Sequence, residues 1–267
     1  MRDALRLYGR YVSISMRSQM QYRASFIMYT VAHFLTTAIE FAAIWVLFDH
    51  FGSIGQWALP EVALFYGMVN MGFATAEAVA RGFDTFAGLV KSGEFDRILL
   101  RPRSTALQVA GRDMQLLRIG RFSQGLFVML WAASRLDVHW TLPRVGMVAF
   151  AIVGGAALFS GLFVLQGTMC FWTIESLELM NTMTYGGVET TQYPLTIYRV
   201  WFRRFFTFVV PLACVTYFPA LAVLGRPDPL GTSLVFQVLS PLVGVAFLAV
   251  CLRVWGFGVR HYRSTGS

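Results

Sequence analysis

The side chains best placed for chemistry in this sequence are ionisable groups inside long apolar stretches. Glu40 lies near the middle of the first such stretch, and His33 precedes it by seven residues, so both fall on roughly the same face of a helix. An ionisable group in apolar surroundings is costly and usually faces water or the interior of a helix bundle. The pair indicates either a polar pathway with a substrate or gating role, or a structural arrangement in which Glu40 is hydrogen-bonded to another helix or protonated.

Glu175 and Glu178 form a second acidic pair, spaced i and i+3. If a helix spans 170–188, both carboxylates enter it from one end and belong with the pathway candidates. If that helix lies later in the chain, the pair is part of a solvated loop. Glu77 lies near the end of another apolar stretch, where we expect it to pair with a nearby arginine.

The motifs of common enzymes are absent from the sequence. It contains no GxxxxGK[ST] phosphate-binding loop, no GxSxG and no HExxH, and its four histidines are scattered. The three cysteines lie far apart inside apolar stretches, as is typical of reduced packing residues. We therefore expect neither catalysis nor a cofactor or metal site on this chain.

The composition indicates an all-α integral membrane protein. The 267 residues are 56% hydrophobic and 13% charged, with a mean hydropathy of +0.58. The net charge of +8 would suggest nucleic acid in a soluble protein, but the arginines here cluster at the ends of apolar runs. Membrane topology and anionic lipid headgroups explain that distribution better, so we expect membrane lipids and no nucleic acid as partners.

The apolar runs and the position of Lys and Arg predict six membrane crossings with both termini in the cytoplasm. The loop 49–61 contains no Lys or Arg, which places it outside. Five of the predicted spans are 24–48, 62–80, 116–133, 145–167 and 234–257. In the fourth of these, Ala151, Gly155, Ala157 and Gly161 favour close contact between helices.

The remaining span has two solutions. A span at 205–224 places Arg199, Arg203 and Arg204 in the cytoplasm and gives the stronger charge asymmetry. An earlier span at about 170–188 leaves 193–224 outside, as an amphipathic helix and a re-entrant hairpin broken at Pro211 and Pro219.

Two polar segments flank the first spans. Residues 1–23 carry five arginines and have apolar residues at helical spacing, which predicts an amphipathic helix on the inner membrane surface. The segment 81–121 contains eight Lys or Arg and four acidic residues, so it is expected to be cytoplasmic. At its centre, 93–102 reads as a short helix between a glycine and a proline, which lies among headgroups or docks on another protein.

Most of the tryptophans fall near the predicted span ends. That position is typical of the aromatic belt at membrane interfaces. The belt would include Trp45, Trp57, Trp131, Trp140, Trp172, Trp201 and Trp255.

Several short motifs follow one another in an order that resembles a known family. They are GEFDRILLRP in the second cytoplasmic segment, then FWTIESLEL, YPLTIY, FVVPLACVTYFPA and a closing HYRSTGS. Together with the predicted spans, they resemble the permease subunit of a bacterial type-2 ABC exporter, of the group with two related permeases paired with an ATPase.

The resemblance implies a coupling helix seated on the ATPase and re-entrant helices on the external side. The re-entrant helices favour the early fifth span. The chain would then divide into an interface helix (1–23) and one permease domain (24–267), with a coupling loop at 81–116. The residues implied in coupling are Glu94, Phe95, Asp96, Arg97, Ile98 and Leu99.

The resemblance also implies partners. They are a dimer of ABC ATPase subunits, which would carry ATP and magnesium, and a second permease, which is either a related chain or a second copy. The protein would be located in the bacterial plasma membrane. An amphipathic or cationic compound is one candidate substrate, and two rival functions remain open: a secondary transporter and a membrane-embedded lipid-modifying enzyme.

Overall fold

The computed structural model describes residues 2–173, 177–228 and 231–262. These residues form helices and contain no β-strand. They also include a 3-10 turn (Leu116–Arg118) and a π-helical turn (Phe205–Val209). The helices are α1 (Arg2–Gln21), α2 (Arg23–Phe51), α3 (Leu59–Asp84), α4 (Phe86–Lys91), α5 (Glu94–Leu99), α6 (Thr105–Ala110), α7 (Ile119–Arg135), α8 (Leu142–Met169), α9 (Leu177–Thr191), α10 (Val200–Arg204), α11 (Leu212–Val215), α12 (Tyr217–Leu224), α13 (Leu234–Leu239) and α14 (Leu242–His261).

Helix α3 forms the centre of the bundle. Every residue from Glu61 to Ala74 is buried, because α3 is apolar on nearly all sides and packs between α7 and α8. Close contact depends on small residues, since Gly72 faces the backbone of α8 beside Gly155. On the same helix α8, Gly161 faces Phe247 of α14, which confirms the close contacts predicted for these two glycines.

Contacts between neighbouring helices fix their directions. Helices α2 and α7 run the same way, because Gly120 lies against Thr30 and Trp131 packs on Phe41 near the other end. Helix α7 runs opposite to α3: Arg118 at its start contacts Glu77 near the end of α3. Helices α8 and α14 both run in the direction of α3.

Helix α9 runs alongside α3 in the opposite direction. Near its start, Asn181 accepts from the Gln166 amide, which also donates to Asp84 at the end of α3. Just beyond its end, the Thr196 hydroxyl accepts from the Trp57 indole, two residues before α3 begins. The 177–196 segment therefore covers the length of α3.

The segment 196–226 is a hairpin that begins and ends at the same end of the bundle. Its two helical parts, Val200–Val209 and Leu212–Leu224, are bent by 73° at the break near Pro211. Arg226 follows them and forms an ion pair with Glu61 at the start of α3, with Nε 2.8 Å from Oε1. Both ends of this hairpin thus lie beside the 52–61 segment.

Four helical runs in the described part of the chain are long and apolar enough to cross a membrane: Arg23–Phe51, Leu59–Lys91, Leu142–Met169 and Leu242–His261. A fifth qualifies if the bent pair counts as one span. Helix α7 has 17 residues and occupies the predicted third span. The predicted last span, 234–257, begins too early, because α13 ends at Leu239 and a new helix starts after Pro241.

Helix α1 packs along the same end of the bundle as α5 and α6. The Tyr8 hydroxyl donates to the Val79 carbonyl at 3.2 Å, and the Gln19 amide donates to the Met114 carbonyl at 2.6 Å. Ile14, Met16 and Met20 are exposed: Ile14 lies beside α5, whereas Met16 and Met20 border α3 and the start of α7. A helix is thus confirmed where the sequence predicted one.

Candidate functional site

The short helix α5 is built at the predicted place. Gly93 precedes it with φ +68°, a left-handed conformation that a glycine adopts without steric cost. The helix ends at Leu99, three residues before Pro102, whose missing N–H cannot continue it. Six residues therefore form a compact projection between α4 and α6.

Phe95 of α5 is buried in an inner aromatic cluster, which we define as Phe83, Phe86, Phe95, Phe171, Trp255 and Tyr262. Its side chain is 0% exposed. Its ring centroid lies 4.9 Å from that of Phe86 and 5.0 Å from that of Tyr262. Since these residues belong to α3, α4, the end of α8 and α14, the cluster fastens α5 to the ends of three long helices.

The outer face of α5 carries different residues. Arg97, Leu99 and Leu100 are exposed, and Leu100 is 85% exposed. Glu94 pairs with Arg112 after α6. Asp96 lies beside Tyr262, and burial together with this carboxylate raises the pKa of the Tyr262 phenol. The i, i+3, i+4 spacing of Phe95, Ile98 and Leu99 predicts one apolar face that docks on something. In the structure Phe95 and Ile98 pack on the chain itself, whereas Leu99 is exposed.

An inner charge network lies one to two helical turns deeper. Oε1 of Glu77, which is 1% exposed, lies 3.2 Å from both Arg81 Nη1 and Arg118 Nη2. Arg81 also pairs with Asp84 at 3.1 Å and donates to the Tyr185 hydroxyl at 2.6 Å. The predicted pairing of Glu77 with local arginines is confirmed, and it joins α3, α9 and the turn before α7.

In such a network, each buried charge is stabilised by an oppositely charged partner. Removing a charge from water costs several kcal/mol, which a partner offsets only at close range with its hydrogen bonds satisfied. Here Gln166 of α8 adds a hydrogen bond of 2.6 Å to Asp84. The network therefore links four segments of the bundle, α3, α8, α9 and the turn before α7, by groups that tolerate little displacement.

The predicted pathway residues separate in the structure. His33 joins the inner charge network, with Nδ1 3.4 Å from Arg118 Nη1. Glu40 lies about two turns further along α2, and its Oε2 is enclosed without a hydrogen-bond partner among the described residues. Glu175 falls outside the described residues, and Glu178 lies on α9 with its side chain outside the description.

Glu189 of α9 was not identified from the sequence. It lies within electrostatic reach of Glu40 on α2 and of Arg121 on α7. Arg121 in turn donates to Asn70 of α3 at 2.7 Å and lies 4.7 Å above the Phe73 ring. Charged groups from three helices, together with Asn70 of α3, thus share one region. The signal available in the sequence was an acidic residue four positions after Tyr185.

The aromatic belt is only partly observed. Trp45, Trp172 and Trp201 are exposed as expected, but the belt prediction is wrong for Trp57 and Trp255, which are buried in the core. Trp255 belongs to the inner aromatic cluster. The three cysteines are free and buried, as predicted for packing residues.

A family model described as "ABC-2 family transporter protein" matches residues 34–266. No curated protein and no solved structure matches this chain. The match covers most of the sequence, from the middle of α2 through α5, the inner charge network and α14. The chain therefore belongs to the ABC-2 family of transporter proteins, the membrane permeases of ABC transporters.

Proposed function

We propose that this chain forms half of the translocation pathway of a bacterial ABC exporter, driven by ATP hydrolysis on a separate ATPase dimer. The other half would be a second permease, related or identical. The observation that carries the proposal is the attachment of α5 to the inner aromatic cluster. A projecting helix that is rigidly fastened to the ends of three long helices is suited to transmit a push.

Six crossings with cytoplasmic termini agree with the helix directions. Helices α2, α7 and α9 run away from the end that holds α5, whereas α3, α8 and α14 run toward it. This arrangement favours the early fifth span and a hairpin that re-enters from outside. The excess of arginine around α5 supports a cytoplasmic position for that end.

The coupling contact divides into two faces. Arg97, Leu99 and Leu100 present the outward surface to an ATPase subunit, while Phe95 and Ile98 anchor the helix. Helix α1 would lie at the inner membrane surface beside this contact, with Met16 and Met20 toward lipid and Ile14 toward α5. The remaining 24–267 would form one permease domain. ATP and magnesium would bind only to the partner.

The pathway would follow the region between α2 and α9. Glu40 and Glu189 approach it from these two helices, and both lie near the central helix α3. Two carboxylates in an apolar surrounding favour a cationic or amphipathic compound over an anionic one. The inner charge network would form the floor of this region on the cytoplasmic side.

The experiment that tests the proposal is recovery of the chain from its native membrane in a mild detergent. We expect a P-loop ATPase to co-purify, with or without a second permease, and the preparation to hydrolyse ATP. Leu100→Glu should release the ATPase, whereas Lys91→Glu, a change at another exposed cytoplasmic position, should retain it. Recovery of the chain alone, with no ATPase activity, would favour a secondary transporter or a lipid-modifying enzyme.

A further inference from the structure

A cavity of about 610 Å³ opens at the end of the bundle opposite α5. Its walls come from the 55–57 loop, the turn after α9 and the hairpin. The aromatic side chains of Trp57 and Tyr217 form part of the wall, and Thr196 contributes a hydroxyl that accepts from the Trp57 indole. This cavity lies outside the region between α2 and α9.

Two arginines line the cavity and they differ in their partners. Arg226 is compensated, because it pairs with Glu61 at 2.8 Å, donates to the Gln56 carbonyl and lies 4.7 Å above the Trp57 ring. Arg203 forms no ion pair within the described residues, and its enclosed Nε has no hydrogen-bond partner there. A partly buried guanidinium with an unsatisfied donor is costly, and a bound oxyanion would remove that cost.

Arg203 also lies on the wall of a second cavity, of about 400 Å³. There it is accompanied by Thr207, Thr232, Ser233 and the side chain of Arg204. The Thr232 hydroxyl donates to the Asp228 carboxylate at 2.6 Å, and the Ser233 hydroxyl accepts from the Phe236 N–H. The rest of that wall is aromatic, with Phe208, Phe218 and Phe236. Phe208 is 81% exposed, so this side continues onto an apolar surface.

The backbone around Arg203 is irregular. Helix α10 passes into the π-helical turn Phe205–Val209, and the Thr207 hydroxyl donates to the Arg203 carbonyl at 2.8 Å. Single π-helical turns are uncommon and occur frequently at binding sites, where they reorient a side chain. The turn holds Arg203 between the two cavities.

We propose that Arg203 binds the phosphate oxyanion of an anionic amphiphile, with the apolar part of the ligand against Phe208, Phe218 and Phe236. The planar guanidinium donates two parallel hydrogen bonds to a phosphate, which a lysine cannot do. A phospholipid headgroup and free phosphate share this chemistry. The aromatic wall beside the hydroxyl groups favours the lipid, and the proposal stands without any assumption about transport.

The test uses the purified full-length chain in a neutral detergent, with its unfolding temperature measured against ligand concentration. Phosphatidylglycerol, diacylglycerol and inorganic phosphate are compared. We expect phosphatidylglycerol to raise the unfolding temperature and diacylglycerol to have no effect. Arg203→Gln should weaken phosphatidylglycerol binding by about tenfold or more, because charged hydrogen bonds are lost.

Arg135→Gln is the matched control, because it removes an exposed arginine from the same end of the bundle. Arg203→Lys keeps the charge and should give an intermediate affinity, which also covers the case in which the glutamine variant does not fold. Equal affinities of wild type and the Arg203 variants would overturn the site. Equal stabilisation by inorganic phosphate and by phosphatidylglycerol would overturn the amphiphile and leave free phosphate as the ligand.

Discussion

Nη2 of Arg118, on the turn before α7, lies 3.2 Å from Oε1 of Glu77 on α3, and Nη1 of Arg81 lies 3.2 Å from the same oxygen. One buried carboxylate thus holds two guanidinium groups from two segments of the chain. Because Arg118 also reaches His33 on α2, any rotation of α3 relative to α2 or α7 must break or exchange these contacts. The arrangement therefore opposes relative movement of these helices.

Replacing Glu77 by glutamine should destabilise the protein more than any exposed charge change. The variant leaves Arg81 and Arg118 without their shared counter-ion, and breaking a buried pair from one side costs about 3–5 kcal/mol. Thermal unfolding in detergent measures the loss. Glu94→Gln removes the exposed pair with Arg112, which is worth at most about 1 kcal/mol, and serves as the control. Equal melting temperatures for the two variants would contradict the network's role.

Phe95→Ala should lower the stability of the fold, whereas Leu100→Ala should weaken coupling to the ATPase. Phe95 is fully buried, so truncation leaves a cavity and costs about 3–5 kcal/mol. Leu100 is exposed, so truncation leaves the fold intact but weakens the contact with the ATPase. The measurements are the unfolding temperature and the ATPase activity of the reconstituted complex. A Leu100→Ala variant with normal coupling and normal ATPase binding would exclude this residue from the contact.

The sequence predicted the elements better than their packing. Hydropathy placed the long helices because a membrane span requires about 20 apolar residues, and Gly93 and Pro102 bounded α5. The same apolar spacing could not show what covers Phe95. Phe86, Phe171 and Trp255, which do so, are separated from it in the sequence and become neighbours only when α8 and α14 pack together.

The polar groups were predicted in part for a similar reason. Glu77 and Arg81 are four residues apart on one helix, so their pairing follows from local geometry. The contact of Arg118 with His33 and the electrostatic interaction of Glu40 with Glu189 depend on which helices are adjacent. Hydropathy left two solutions for the span after α8. The positions of Thr196 and Arg226, both beside Trp57, depend on packing that the sequence does not show.

Gly82→Ala should lower stability, because a Cβ atom at this position would overlap the carbonyl oxygen of Val109 on α6. Neither backbone can move aside without disturbing the base of α5, so we expect a loss of about 1–3 kcal/mol. Gly88→Ala is the control, since a Cβ atom there meets nothing within 4 Å. That second change should be neutral or stabilising by up to about 1 kcal/mol. Gly82→Ala should therefore lower the unfolding temperature, whereas Gly88→Ala should leave it unchanged or raise it.

The attachment of α1 should weaken at high pH. Burial raises the pKa of Tyr8 to about 12, because the charged phenolate would lose hydration there, and the phenol donates to the Val79 carbonyl. Since the folded-state pKa exceeds the unfolded value of about 10, the contribution is complete below about pH 10 and is lost as the pH rises toward 12. The unfolding temperature of the wild type should fall more between about pH 9 and about pH 11.5 than that of Tyr8→Phe. If the unfolding temperatures of wild type and Tyr8→Phe fall in parallel, the pKa of Tyr8 is the same in the folded and unfolded states.

The side of the membrane occupied by Arg199 distinguishes the two topologies. If α9 crosses the membrane, Arg199 lies outside; if the bent hairpin crosses instead, it lies in the cytoplasm. The three native cysteines are buried, so a cysteine at the exposed position 199 can be labelled selectively by a membrane-impermeant maleimide. We expect Arg199→Cys to react in intact spheroplasts and Ser92→Cys, beside α5, to react only after permeabilisation. The reverse pattern at position 199 would establish the later span and place Arg203 and its two cavities on the cytoplasmic side.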